Sequence, residues 1–373
     1  MSRGVPTSYE TVEGFTPSRL SLARRRRGIT KKELAEAADV STRSLSEYES
    51  GNQAPTHRTL ERLSAALDFP QEFFCGDDLD ELPLDAASFR ALSRLSARQR
   101  DQAIGSGTLA LALSRWIDER FALPTADIPD LRGVDPETAA ESVRTEWGLG
   151  YRPVSNAVHL LEAHGVRVFS LVQDTVEVDA YSAWTDLGPM VFLNTMKSAE
   201  RSRMDAAHEL GHLVLHRGHG APRGRSEEHE ADLFASAFLM PRPSVLAGIP
   251  RTTNLDLLVQ AKKTWGVSVA ALVYRMHQVG LLTEWQYRTT FKELSSRGYR
   301  RREPEERPRE TSQMLKKVFE SLANEGVSKH QIARELQVPL SELNRMVFGL
   351  VPTVLEGEGQ RMRASQAANL RLL

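Results

Sequence analysis

Met204-Asp-Ala-Ala-His-Glu-Leu-Gly-His-Leu-Val-Leu-His216 contains the pattern His-Glu-x-x-His, with His208 and His212 four residues apart. On an α-helix residues i and i+4 share a face, so both imidazoles can reach one ion. Glu209 lies one step round the helix, where its carboxylate meets a water on that ion rather than the ion itself. Protein ligands, an open water position and a carboxylate base are what metal-assisted hydrolysis needs. Ala206, Ala207, Leu210, Leu213, Val214 and Leu215 supply an apolar helical pattern, with Ser198 or Ser202 as a cap and Gly218 as a stop.

By itself this five-residue pattern also fits a surface helix carrying two solvated histidines. The next segment, Glu227-Glu-His-Glu-Ala-Asp-Leu-Phe-Ala-Ser-Ala-Phe-Leu-Met-Pro241, shifts the balance. It reads as a second helix with Leu233, Phe234, Ala237 and Phe238 turned to a core and Pro241 as terminator. Its first turn offers Glu228, His229 and Glu230 as third ligand. Glu228 is favoured, because Asp232 then lies one turn on, placed to orient a ligating histidine. The expected ion is zinc.

His208-Glu-Leu-Gly-His212 followed by Glu228-x-Glu-Ala-Asp-x-Phe-Ala-x-x-Phe-Leu-Met-Pro241 resembles the ImmA/IrrE metallopeptidases, over roughly residues 120 to 290. Members of that family are typically zinc-dependent proteins found beside, or fused to, helix-turn-helix repressors, and several cleave a partner repressor. The resemblance implies His208, His212 and Glu228 as zinc ligands and Glu209 as general base.

Working outward, 373 residues suggest two to three domains with ample core. Hydrophobic residues at 40% and charged residues at 26% are ordinary globular values. A net charge of −1 neither favours nor excludes nucleic acid, because 48 basic and 49 acidic residues can segregate locally. The one cysteine, Cys75, excludes an internal disulfide framework and suggests a reducing compartment. No signal-peptide core or membrane-spanning run is legible, so a cytoplasmic protein without membrane partners is expected.

Arg19 to Lys32 holds seven basic residues and no acidic one. A solvated helix face explains that run on its own terms, but the residues beyond it point elsewhere. Thr30 and Glu33 form a capping box ahead of Leu34 and Ala35, a turn falls at Asp39-Val40, and Ser41 opens a second helix that Gly51 ends. Two short helices meeting so closely form a helix-turn-helix, whose second member enters the major groove. Leu34-Ala-x-x-x-x-Val40-Ser and Leu45-Ser-x-Tyr-Glu-x-Gly51 resemble the lambda-repressor-like (XRE) DNA-binding domain. Asp39 replaces the usual turn glycine, and aspartate tolerates left-handed backbone better than most residues. Ser41, Thr42, Arg43, Ser44 and Ser46 are the candidate base readers, with Arg43 suited to guanine. Lys31, Lys32 and part of the Arg24–Arg27 run, Arg24 included, are candidates for phosphate.

The expected fold is mainly α with an α+β metallopeptidase-like domain: an N-terminal helix-turn-helix bundle, a small central sheet beside the metal helix, and a C-terminal helical module. The boundaries read as a DNA-binding domain over 1–78 that opens on a loose arm, a helical connector over 79–120 and the peptidase-like domain over 121–294. A charged linker or mobile loop over 295–311 and a helical module over 312–373 complete the chain. Strands are expected at Val166–Val172, Tyr181–Trp184 and Pro189–Asn194. The last of these is either a core strand or an edge that pairs with substrate backbone. In the C-terminal module Ala333, Gln337, Val338 and Leu343 repeat the spacing of Ala35, Asp39, Val40 and Leu45. That module suits contact with protein as well as with DNA. His216, His219, His229 and Tyr181 lie near enough in sequence to polarise a scissile carbonyl, and nothing selects one of them.

Three functions arise as expectations. The first is a regulator, dimeric so as to match two DNA half-sites, whose zinc peptidase cleaves a protein partner such as a co-encoded repressor, or itself. The second is a non-proteolytic regulator whose peptidase-like domain senses a metabolite, a damage signal or a partner. The third is an antitoxin that binds a co-encoded toxin and represses its own promoter.

Overall fold

The computed structural model describes residues 10–82, 96–171, 180–217 and 224–351. The described part of the chain is mainly helical around one small sheet, as the apolar periodicities imply. Of the predicted features, Gly218, His219 and most of the loose arm fall outside the described residues. So do residues 83–95 of the connector, Val172 at the end of the first expected strand, and residues 352–373.

The N-terminal bundle comprises α1 (Pro17–Arg27), α2 (Lys31–Ala37), α3 (Thr42–Glu49) and α4 (His57–Leu67). The Thr30–Glu33 capping box forms, and Ser41 caps α3 by accepting from the Ser44 amide at 2.9 Å. Between α2 and α3 the chain passes through Asp39 at φ +51°, and the Val40 amide returns to the Ala35 carbonyl at 2.9 Å. Leu34, Ala35, Leu45, Leu60 and Leu63 fill the space between the helices.

The connector is no spacer. Helix α5 (Ala97–Asp118) is buried along most of its length, and its chief helical neighbour is α1. Gly105 allows that approach: a Cβ there would sit 3.2 Å from the Cβ of Arg26. At the neighbouring turn the Tyr181 hydroxyl donates to the Ala103 carbonyl at 3.0 Å.

Helices α6 (Pro136–Glu146) and α7 (Ala157–Ala163) precede β1 (Arg167–Ser170), β2 (Tyr181–Thr185) and β3 (Gly188–Leu193). The sheet order is β1-β3-β2, with β3 parallel to β1 and antiparallel to β2. This settles which strand is an edge. β3, a possible edge by its sequence, is the central strand with both ladders filled, and β2 is an outer one. The α+β scaffold continues with α8 (Ala199–Leu215), α9 (Arg225–Leu239), α10 (Arg242–Gly248), α11 (Leu255–Lys262), α12 (Val269–Gln278) and α13 (Glu284–Ser296).

The charged stretch after α13 packs against the scaffold through buried ion pairs. Buried Lys262 reaches Glu200 at 3.1 Å and Glu303 at 3.0 Å, and Glu303 also accepts from the Val269 amide at 2.9 Å. Buried Arg203 pairs with Glu310. Composition alone suggests a solvated linker, because each of these charges has a partner far away in sequence.

This stretch leads into α14 (Gln313–Asn324), α15 (Lys329–Glu335) and α16 (Leu340–Val347). The turn between α15 and α16 repeats the first helix-turn-helix, with Gln337 at φ +58° and the Val338 amide on the Ala333 carbonyl at 2.9 Å. α16 buries one face, Glu342, Leu343, Met346 and Val347, and there Glu342, 1% exposed, meets the guanidinium groups of Arg26 and Arg27. Glu335 accepts from the Trp116 indole and from Arg120, both at 3.0 Å. Within the chain this module packs on α7 and β1, with Glu162 accepting from the Gln313 and Met314 amides at 2.9 and 3.0 Å, and it also meets α1 and the connector. Among the described residues no helix is long and apolar enough to cross a membrane.

Candidate metal centre

Ser198 caps α8, and Ala206, Leu210, Leu213 and Val214 bury the rest of its length. α9 packs across α8 at Gly211, where an added Cβ would lie 3.1 Å from Phe234 and 3.3 Å from the Cα of Ala231. A glycine inside a helix costs about 0.5–1 kcal/mol relative to alanine. Here it permits a crossing close enough to bring the first turn of α9 over the two histidines.

The rings of His208 and His212 are 4.7 Å apart and nearly perpendicular. Glu228 faces both, with Oε1 3.4 Å from His212 Nε2 and Oε2 3.8 Å from His208 Nε2. Donor atoms of these three residues all lie within 4.8 Å of one another. Ligands held ~2.0–2.1 Å from a tetrahedral zinc stand roughly 3.3 Å apart, so the set closes on such an ion with small side-chain movements. Nδ1 of His208 meets Asp232 at 2.9 Å, which turns Nε2 towards Glu228. Burial works against a charge on His208. The Asp232 hydrogen bond and the carboxylates of Glu209, Asp232 and Glu228 outweigh it and raise the pKa to about 9. The cluster thus carries the surplus of negative charge that a divalent cation neutralises.

The model of the IrrE N-terminal-like domain matches residues 161–277, and a helix-turn-helix model matches residues 20–70. The chain therefore carries a helix-turn-helix domain fused to an IrrE-like domain. A comparison with curated proteins finds no match to the chain. Residues 161–277 of the IrrE-like domain hold all three strands, α8, α9 and the whole cluster.

Glu209 is only 2% exposed, and its Oε2 accepts from the Ser182 hydroxyl of β2 at 2.7 Å. An outer strand of the IrrE-like domain therefore touches the candidate base directly. Nothing in the sequence singles out Ser182, because strand order has no local signature. The contacts of His216 and Glu230 are equally hidden there. The Nδ1 atoms of His212 and His216 are 3.0 Å apart, and His216 Nε2 lies 3.0 Å from Glu230 Oε2. The four-residue spacing of His212 and His216 is the available hint. His229 is exposed. Tyr181 is fully buried, with its hydroxyl on Ala103, and burial drives its pKa far upward. It is therefore withdrawn as a group that polarises a carbonyl.

In the helix-turn-helix domain Ser41, Thr42 and Arg43 are exposed at the start of α3, while Ser44 and Ser46 are half-buried. The hydroxyl groups of Ser41 and Ser44 also contact each other at 2.8 Å. The basic run is largely consumed within the fold. Arg24 and Lys31 both pair with Glu49, at 2.6 and 3.1 Å, Arg25 pairs with Glu81, and Arg26 and Arg27 share Glu342. Lys32, 79% exposed, stands 3.9 Å from Glu36 and is the basic side chain most open to solvent in this group.

Proposed function

We propose that this protein is a transcriptional regulator that binds operator DNA through α3. In this reading the IrrE-like domain is a zinc peptidase that cleaves a protein partner, such as a co-encoded repressor, or the chain itself. The observation that carries it is the convergence of two imidazoles and one carboxylate, from two crossing helices, within 4.8 Å. His208 and His212 would hold zinc through Nε2, with Glu228 as third ligand. When bound, the ion supplies a Lewis acid that polarises a carbonyl and lowers the pKa of a water towards ~7. Glu209 would take a proton from the attacking water and return it to the leaving amine. Ser182 holds one oxygen of that carboxylate and so fixes its orientation. Incubating the zinc-loaded chain with candidate repressor substrates, beside a Glu209→Gln variant, tests the reading.

One observation favours a second reading, a regulator that senses without cleaving. Glu209 is nearly inaccessible, and β2 beside it is tied to α5 through the Tyr181–Ala103 hydrogen bond. Under that reading Glu209→Gln leaves gene control unchanged.

For DNA, a homodimer presents two copies of α3 to two half-sites. Arg43→Ala is expected to weaken binding to a selected operator by about 1–3 kcal/mol and to relax base preference at one position. Lys32→Ala should instead weaken all sequences alike and lower the salt slope by about 1. Fluorescence anisotropy over a salt series separates the two. Equal operator affinity of Arg43→Ala and wild type would remove α3 as the reading element.

A further inference from the structure

We propose that His216 and Glu230 act as positioning residues that fix the tautomer of His212, so that its Nε2 lone pair is presented to the metal. The proposal rests on the zinc site described above and deepens it. Glu230 Oε2 stands 3.0 Å from His216 Nε2, and a carboxylate accepts hydrogen bonds only, so the proton of a neutral His216 sits on Nε2. Nδ1 of His216 is then an acceptor. It lies 3.0 Å from Nδ1 of His212, so that atom must carry the proton and donate it. A neutral imidazole protonated at Nδ1 keeps its lone pair on Nε2, the atom 3.4 Å from Glu228. The opposite assignment would put a proton on His212 Nε2 and a bare nitrogen against a carboxylate.

The arrangement parallels the other ligand. His208 receives a carboxylate on Nδ1 directly from Asp232, whereas His212 receives one at a remove, through an intervening imidazole. Both carboxylates come from α9, the helix that also supplies Glu228. Glu230 is itself held by the Ser226 hydroxyl at 3.2 Å. His216 terminates α8, with its side chain 9% exposed, and its ring tilts 52° against His212. The imidazoles of the relay thus lie largely buried beside the two helices, while its carboxylate end, Glu230, is 40% exposed.

Substitutions that keep one end of His216 and remove the other test this in the full chain. In His216→Asn the amide oxygen can occupy the place of Nδ1 and accept from His212, while the reach to Glu230 is lost. In His216→Gln the terminal amide can occupy the place of Nε2 and donate to Glu230, while the acceptor facing His212 is lost. Zinc affinity is read by competition with a chromophoric chelator, with circular dichroism as the check on folding. His216→Gln and His216→Ala are expected to bind zinc about 10–100-fold more weakly than wild type, and His216→Asn to stay within a few-fold of it. A purely packing role would not rank Asn above Gln in this way. Equal affinity of the Gln and wild-type proteins, or an Asn variant as weak as the Gln variant, overturns the relay while leaving the zinc site standing. A wild type that takes up no zinc removes the site and the relay together.

Discussion

Glu342→Ala is expected to destabilise the folded chain by about 3–5 kcal/mol, the usual cost of leaving one member of a buried ion pair without its partner. Glu342 is enclosed with Arg26, itself 4% exposed and 2.8 Å away, and also holds Arg27 and, at 3.3 Å, Arg345. Removing the carboxylate strands a buried guanidinium at the contact between α16 and α1. Urea unfolding should show the loss, and amide exchange should rise across residues 329–347 before the IrrE-like domain opens. A midpoint within error of wild type would contradict the docking of α16. The same pair sets an acid dependence. Burial alone would raise the Glu342 pKa, but Arg26 and Arg27 outweigh it and hold the carboxyl below its ordinary value. A carboxyl with a depressed folded pKa contributes its stability above the unfolded value of about 4.3. That contribution is lost as pH falls through the lower folded pKa. Wild type should therefore lose stability below about pH 4 more steeply than Glu342→Gln, which lacks the titrating group.

Glu209→Gln carries the second large effect. The amide keeps the size of the side chain, and its oxygen can still accept from Ser182, so folding and zinc content should match wild type. What disappears is the capacity to take and return a proton, worth typically 10²–10⁴-fold in rate. Cleavage of the partner should fall by about that factor, with operator binding unchanged. Undiminished cleavage by the variant would show that Glu209 is not the base. Gene control that survives the substitution intact would favour the sensing reading.

The parts of this molecule legible in the sequence are those whose determinants are local. His208 and His212 announce themselves by a four-residue spacing, Thr30 with Glu33 by a three-residue capping box, and Asp39 with Gln337 by the turn each occupies. The repeat of Ala35-to-Leu45 spacing in Ala333-to-Leu343 is enough to reveal the second helix-turn-helix. What stays hidden depends on distant partners. Arg24 to Arg27 read as a phosphate-binding run because Glu49, Glu81 and Glu342, which neutralise them, lie 25, 56 and 316 residues from the arginines they meet. The stretch after α13 reads as solvated charge for the same reason. Strand order misleads differently: β2 and β3 both read as short strands, and only their pairing makes β2 the outer strand next to Glu209. Gly211, the reason α9 can cross so near, looks in sequence like an ordinary helix-weakening residue.

Metal binding and peptidase chemistry both require His208, His212 and Glu228 to share one divalent ion. The most direct test is elemental analysis of the full chain purified in parallel as wild type and His212→Ala, after equilibration with zinc and removal of the excess. One zinc per chain in the wild type and almost none in the variant is the predicted result. Wild type without zinc, or a variant that retains it equally well, would contradict the metal centre and with it the peptidase.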